Sequence, residues 1–118
     1  MKLVVDVVEP QDGIVFITGY VNQSLAVGDL LQELAVYQPA KKQKQHPKKL
    51  STHTVSLAIE TILVEGEPLD AISANQSTQI GLVGDPAPLL QLLSEHQWHE
   101  SNGRYFLPRK ETRLITLS

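Results

Sequence analysis

Apolar and polar residues alternate with a period of two along much of the first 84 residues, a pattern typical of half-buried β-strands. The first such run places Leu3, Val5 and Val7 on one face. The longest run is predicted to direct five side chains into the core: Val55, Leu57, Ile59, Thr61 and Leu63. Six segments are predicted as strands on this basis: 2–9, 14–21, 30–37, 54–64, 69–72 and 78–83. The pattern therefore predicts a mainly β protein.

Glycines mark the breaks between these strands. Asp12-Gly13 is a residue pair that tolerates positive φ, so the first two strands are predicted to form an antiparallel hairpin. Gly19 suggests a bulge or a sharp bend, and Gly28 supplies special backbone geometry before the third strand. Six short strands with turns of this kind predict a small antiparallel six-stranded β-barrel.

The hydrophobic period changes after Gly84. Asp85 followed by proline is a helix-start signal, and it predicts one C-terminal α-helix over Pro86–Gln97. Asn102-Gly103 predicts a hairpin, and Thr112–Leu117 is a plausible short β tail. The residues at i, i+3, i+4 and i+7 form one apolar stripe of the helix: Leu89, Leu92, Leu93 and His96. The pattern leaves open whether residues 85–118 complete the barrel or pack outside it.

Length and composition limit the possible classes of protein. With 118 residues and 42% hydrophobic residues, the chain is expected to form a single soluble domain over residues 1–118. Within it, residues 2–84 are predicted as the barrel core and 85–118 as an extension. No cysteine is present, and no window has the apolar run of a signal peptide or of a membrane span, so we expect no membrane partner and a cytoplasmic location.

A lysine-rich segment interrupts the strand pattern between the third and fourth strands. Residues 39–53 are predicted to form a long basic loop, since nothing in its lysine-rich part has a reason to be buried. Five lysines fall within nine residues, and they are the predicted nucleic-acid-binding residues: Lys41, Lys42, Lys44, Lys48 and Lys49. Lysines at this density can neutralise phosphates, so the segment indicates contact with RNA. The alternative is a solvated loop that maintains solubility.

Several of the strand and turn motifs resemble the second domain of translational GTPases such as elongation factor Tu, elongation factor G and initiation factor 2. The similarity covers roughly residues 2–84 and is strongest at Thr18-Gly19 and at Val27-Gly28-Asp29. The matching stretches are 15–21, 25–29, 55–62, 66–70 and 74–84. The resemblance implies a β-barrel of the translation-factor type that lies against ribosomal or transfer RNA. The chain has no P-loop, and Tyr20 stands where those factors usually carry arginine.

Other clusters give weaker indications of chemistry. His96-x-x-His99 has spacing suited to a cation but no obvious third ligand, so we predict no metal site. Three acids could suggest a hydrolase, but they have simpler roles on strand faces and at a helix cap: Asp6, Asp70 and Asp85. Three aromatic residues near the end of the chain are expected to form a small satellite core: Trp98, Tyr105 and Phe106. We therefore predict no catalytic residues, no cofactor and no enzymatic activity.

Two functional hypotheses remain. The first is a non-enzymatic binding module that associates with RNA or the ribosome through the lysine-rich loop. The second is a protein-interaction or self-assembly module, in which a barrel edge or the leucine-rich helix docks a protein partner or a second copy. Leu90 lies off the main stripe of the helix, which favours burial of that helix on two sides. The pattern does not fix the oligomeric state.

Overall fold

A computed structural model describes residues 1–38, 46–95, 98–106 and 113–118. Within these ranges, the chain forms eleven strands and one helix. The strands are β1 (Leu3–Gln11), β2 (Ile14–Val21), β3 (Leu25–Ala26), β4 (Leu30–Gln38), β5 (Lys48–Val64), β6 (Glu67–Leu69), β7 (Ala71–Ile72), β8 (Gln76–Asp85), β9 (His99–Ser101), β10 (Arg104–Phe106) and β11 (Leu114–Leu117). The helix, α1, comprises Ala87–Glu95.

Six antiparallel strands close into a barrel. Their order is β1, β2, β8, β5, β4 and β11, and β11 pairs with β1 to complete the ring. The predicted fold class is therefore confirmed. The predicted strand over 69–72 is not a barrel strand, because this region forms β6 on the edge of β5 and β7 paired with β3. Its place is taken by β11, so the C-terminal tail completes the barrel that was expected to end near residue 84.

Two β-bulges shift the inward-facing positions away from simple alternation. The register between β1 and β2 slips at Asp6, after which Val8 is buried in the core and Val7 is only half-buried. A second slip, at Glu60 in β5, buries Ile62. The expected inward positions of Val7, Thr61 and Leu63 are therefore wrong, because each bulge adds one residue and reverses the facing of everything after it. Both bulged residues are exposed acids.

The glycine and cap signals produce the predicted local geometry. Gly13 has a φ of 77° in the turn that joins β1 to β2, and Gly28 has a φ of 96° just before β4. Asp85 accepts a hydrogen bond from the backbone N–H of Ala87 at 3.1 Å, which caps α1. The leucines that α1 buries are those of its predicted apolar stripe: Leu89, Leu92 and Leu93.

The core is almost entirely aliphatic and includes residues from α1. Trp98 is buried in this core, and Tyr105 packs against it. Phe106 is exposed. The expected satellite core of three aromatics is therefore wrong, because two of them extend the main core and the third faces solvent.

Gly19 lies where β2 approaches the bulge of β1 most closely. A Cβ at this position would collide with the carbonyl oxygen of Val4, whereas a Cβ on Gly13 would meet open space. We expect Gly19→Ala to lower the free energy of unfolding by roughly 3–4 kcal/mol, since β1 must shift. Gly13→Ala should cost about 1–2 kcal/mol through its positive φ alone. Urea unfolding measures both, and equal losses would contradict this account of the bulge.

Candidate nucleic-acid interface

The lysine-rich segment connects the two strands of the β4–β5 hairpin. Pairing between them continues to Tyr37↔Lys49 and Gln38↔Lys48. The loop predicted over 39–53 is therefore wrong from Lys48 onward, because backbone pairing with β4 holds this stretch as a strand although most of its side chains are exposed. Three of the predicted site residues lie outside the described residues: Lys41, Lys42 and Lys44.

Lys48 and Lys49 are exposed and project from opposite faces of the hairpin, because consecutive residues of a strand alternate in direction. Lys49 donates a hydrogen bond to Glu33 Oε1 at 3.0 Å, and its Nζ lies 5.8 Å from the centre of the Tyr37 ring. The hydrogen bond and the charge of Glu33 raise the pKa of Lys49 above its ordinary value of 10.5. Lys49 is thus held over the outer face of β4.

A further cationic residue, Arg113, lies at the same end of the barrel. Arg113 immediately precedes Leu114, which pairs with Tyr37, so Arg113 lies at the register position beside Gln38. It is exposed. Residues 34–59 contain five lysines and no acid, whereas the rest of the chain carries all thirteen acids and five basic residues. The charge of the chain is therefore strongly segregated although its formal net value is only −3.

The same part of β5 is a free sheet edge. Its pairing with β8 begins only at Ser56, so within the described residues 48–54 pair with β4 on one side alone. Lysines on an exposed edge protect it from pairing with another chain. Edge protection is thus a purely structural explanation for Lys48 and Lys49, and an experiment must distinguish it from binding.

A second surface is an apolar groove beside α1. It has a volume of about 380 Å³ and is lined by Pro10, Leu90, Leu93, Ser94 and Tyr105. Leu90 is 37% exposed, in contrast to the buried leucines of the same helix. Leu90 therefore lies on a side of α1 that the described part of the chain leaves uncovered, and burial of α1 on two sides by a partner stays a prediction.

A larger and more polar groove crosses the outer surface of the barrel between β10 and the β5–β6 turn. Its volume is about 550 Å³, and its walls include Thr18, Ser77 and Gln79. Arg104 at its rim lies 3.3 Å from a carboxylate oxygen of Glu9. Arg104 is therefore paired with an acid, as Lys49 is with Glu33, and neither of the described lysines Lys48 and Lys49 lines this groove.

The other residues that the sequence analysis considered for a functional site occupy ordinary positions in the fold. Asp6 is the bulged residue of β1, where desolvation raises the pKa of its carboxyl. His99 is exposed in β9, and His96 lies outside the described ranges. Tyr20 donates a hydrogen bond to the side-chain oxygen of Asn75 at 3.3 Å, so it steadies the turn before β8. No group of three histidine, aspartate or glutamate residues suited to a metal occurs in the part of the chain that the structure describes.

Comparison with protein-family models, with curated proteins and with solved structures finds no match to this chain. The described residues contain no helix long and apolar enough to cross a membrane.

Replacing Glu33 tests the electrostatics of this interface. We expect Glu33→Gln to lower the pKa of Lys49, because the ammonium loses the adjacent negative charge and retains only a neutral amide oxygen as acceptor. Since the pKa is raised in the folded protein, the contribution of the pair to stability is present below pH 10.5 and is lost as the pH rises through the higher folded value. Titration of the lysine side-chain resonances by NMR measures this shift. Glu60→Gln, which removes an exposed acid elsewhere on β5, should leave the Lys49 titration unchanged.

Proposed function

We propose that this protein is a non-enzymatic module that binds RNA through the end of the β4–β5 hairpin and acts in the cytoplasm. The observation that carries the proposal is the concentration of five lysines without an acid in residues 34–59 of an otherwise acidic chain. Lys48 and Arg113 are both exposed at this end of the hairpin, on either side of Gln38 of β4. A cluster of this kind attracts a polyanion and loses affinity as salt displaces it.

The resemblance to the second domain of translational GTPases supports RNA as the polyanion and the ribosome as its source. The stretches that carry the resemblance lie on β2, on the turn before β4, on β5 and on β8. Those strands form one side of the barrel. The end of the β4–β5 hairpin lies outside the stretches that carry the resemblance. The proposed contact therefore belongs to the lysine-rich insertion of this chain.

Removal of two lysines tests the proposal. The double variant Lys48→Gln, Lys49→Gln should bind a labelled mixed-sequence RNA of 30 nucleotides more weakly. It should also reduce the slope of log K against log salt by about 2, since each lysine releases about one counterion. Fluorescence anisotropy at several salt concentrations measures both quantities.

The matched control is Lys2→Gln, Arg104→Gln, which removes the same charge away from the hairpin end. Equal weakening by the two double variants would show that only net charge matters and would reject the site. Edge protection alone would leave RNA affinity unchanged in the Lys48, Lys49 variant while its tendency to self-associate increased.

A second candidate function, self-association through α1, is favoured by the exposure of Leu90 above an apolar groove. In this arrangement a second copy of the chain covers the groove, and a two-fold axis places the same patch on both subunits. Apolar area removed from water at Leu90 and Tyr105 would drive the contact.

Analytical ultracentrifugation over a range of protein concentrations tests this second function. Leu90→Gln should weaken association about tenfold, because a polar amide replaces the apolar side chain at the centre of the contact. Leu30→Gln is the matched control, since Leu30 on β4 is even more exposed, at 58%, and does not line the groove beside α1. A protein that sediments as a monomer at every concentration would rule self-association out.

A further inference from the structure

We infer that the outside of the barrel over β2, β8 and β5 binds an amphipathic helix of a protein partner, with lysine or arginine on the polar face of that helix. The inference does not depend on the RNA contact. It follows from an outward-facing apolar surface, from the acids at its border and from the complete backbone pairing of its strands. The outer apolar surface consists of Ile14, Phe16, Leu30, Ala58 and Val83.

Three of these residues form a row across neighbouring strands. Leu30 on β4 lies opposite Ala58 on β5, and Ala58 lies opposite Val83 on β8. Each is next to a leucine that is buried in the core, so these three side chains point away from the core. Leu30 is 58% exposed, and the other two are half-buried. The outside of the barrel therefore presents a row of apolar side chains to solvent.

Phe16 and Ile14 on β2 extend this row. Both border the outer side of Gly81, since a Cβ on that glycine would lie 3.2 Å from Phe16 and 3.5 Å from Ile14. An aromatic ring over a glycine stabilises a sheet, so the position of Phe16 has a structural explanation. Leu30 has no such explanation, because more than half of its surface remains in water. Burial of Leu30 against a partner would remove that apolar area from water.

The border of the outer apolar surface is acidic. Ile59 and Ile62 are both buried, so the bulge between them turns Glu60 outward, onto the same face as Ala58. No lysine, arginine or histidine occurs in residues 3–40 or 54–95, which include every residue of this surface. The charge that complements such a border is positive.

Two further acids flank the outer apolar surface. Glu9 lies opposite Phe16, and its carboxylate is paired with Arg104 at 3.3 Å. Asp85 ends β8 on the outer face and accepts one hydrogen bond from the first turn of α1. Within the described residues Glu60 has no ion-pair partner, so its charge is the most available to a ligand.

The strands of this surface have no free edge. β2 pairs with β1 and β8, β8 pairs with β2 and β5, and Ala58 has a partner on either side. An extended peptide cannot add a strand here, whereas a helix satisfies its own backbone and offers side chains alone. From β2 to β4 the surface spans three strand spacings, about 14 Å, and a helix is about 10–12 Å wide. The α1 helix of a second copy matches poorly, because Ala87–Glu95 contains no basic residue.

Fluorescence anisotropy with the whole protein and three labelled peptides tests the inference. The first peptide is an 18-residue helix former with leucines on one face and lysines on the other. The second has glutamate in place of each lysine, and the third has serine in place of each leucine. We expect the first to bind at least tenfold more tightly than either of the others, with an affinity that falls as salt rises. Absence of binding, or equal binding of the glutamate peptide, would overturn the inference and leave the RNA proposal standing.

A matched pair of double variants locates the contact. Leu30→Gln, Glu60→Gln removes one apolar side chain and one charge from the surface, and it should weaken binding of the leucine and lysine peptide about tenfold. Leu69→Gln, Glu67→Gln makes the same changes on β6. Leu69 lies opposite the buried Ile62, so it and Glu67 face away from the outer apolar surface. Equal affinities of the two double variants would reject this surface as the binding site.

Discussion

The structure depends on the pairing of β11 with both β1 and β4. Leu117 lies opposite Leu3 on one side and opposite Leu34 on the other, and all three side chains are buried. Without this four-residue strand, β1 and β4 would each have an open edge and the core would be exposed between them. Closure also fixes the hairpin, because the last pair of β11 with β4 is Leu114↔Tyr37. The segment that carries the charge thus projects from a strand held on both sides.

The sequence predicted the features of the fold that depend on neighbouring residues. The turn at Gly13, the cap at Asp85 and the hairpin at Asn102-Gly103 need only local backbone geometry and one or two side chains, and all three are present. The bulges at Asp6 and Glu60 were not predicted, because a bulge is defined by the partner strand. The closing role of β11 was left open for the same reason, because the sequence of a four-residue strand does not indicate which strands it pairs with.

The motifs that resemble translation factors have architectural roles in this chain. Gly19 permits the close approach of β1 at the bulge. The N–H of Gly28 donates to the carbonyl of Ile59 at 2.8 Å, and a carboxylate oxygen of Asp29 accepts from the N–H of Ala26. The first bond attaches the turn before β4 to β5, and the second closes the turn itself. Residues that shape a barrel in this way recur wherever that shape is needed, so they indicate geometry more directly than they indicate a ligand.

Residues with a binding role are therefore sought among those that the barrel fold does not require. Among the predicted site residues, the sequence identified Lys48 and Lys49 by their charge, but it placed them on a loop and so gave no direction to either side chain. Their strand geometry sets one lysine on each face, and the pair Lys49–Glu33 was beyond prediction because sixteen residues separate its members. A loop would let five lysines gather around one phosphate strand. A paired strand forbids this for Lys48 and Lys49, because consecutive residues of a strand leave its two opposite faces.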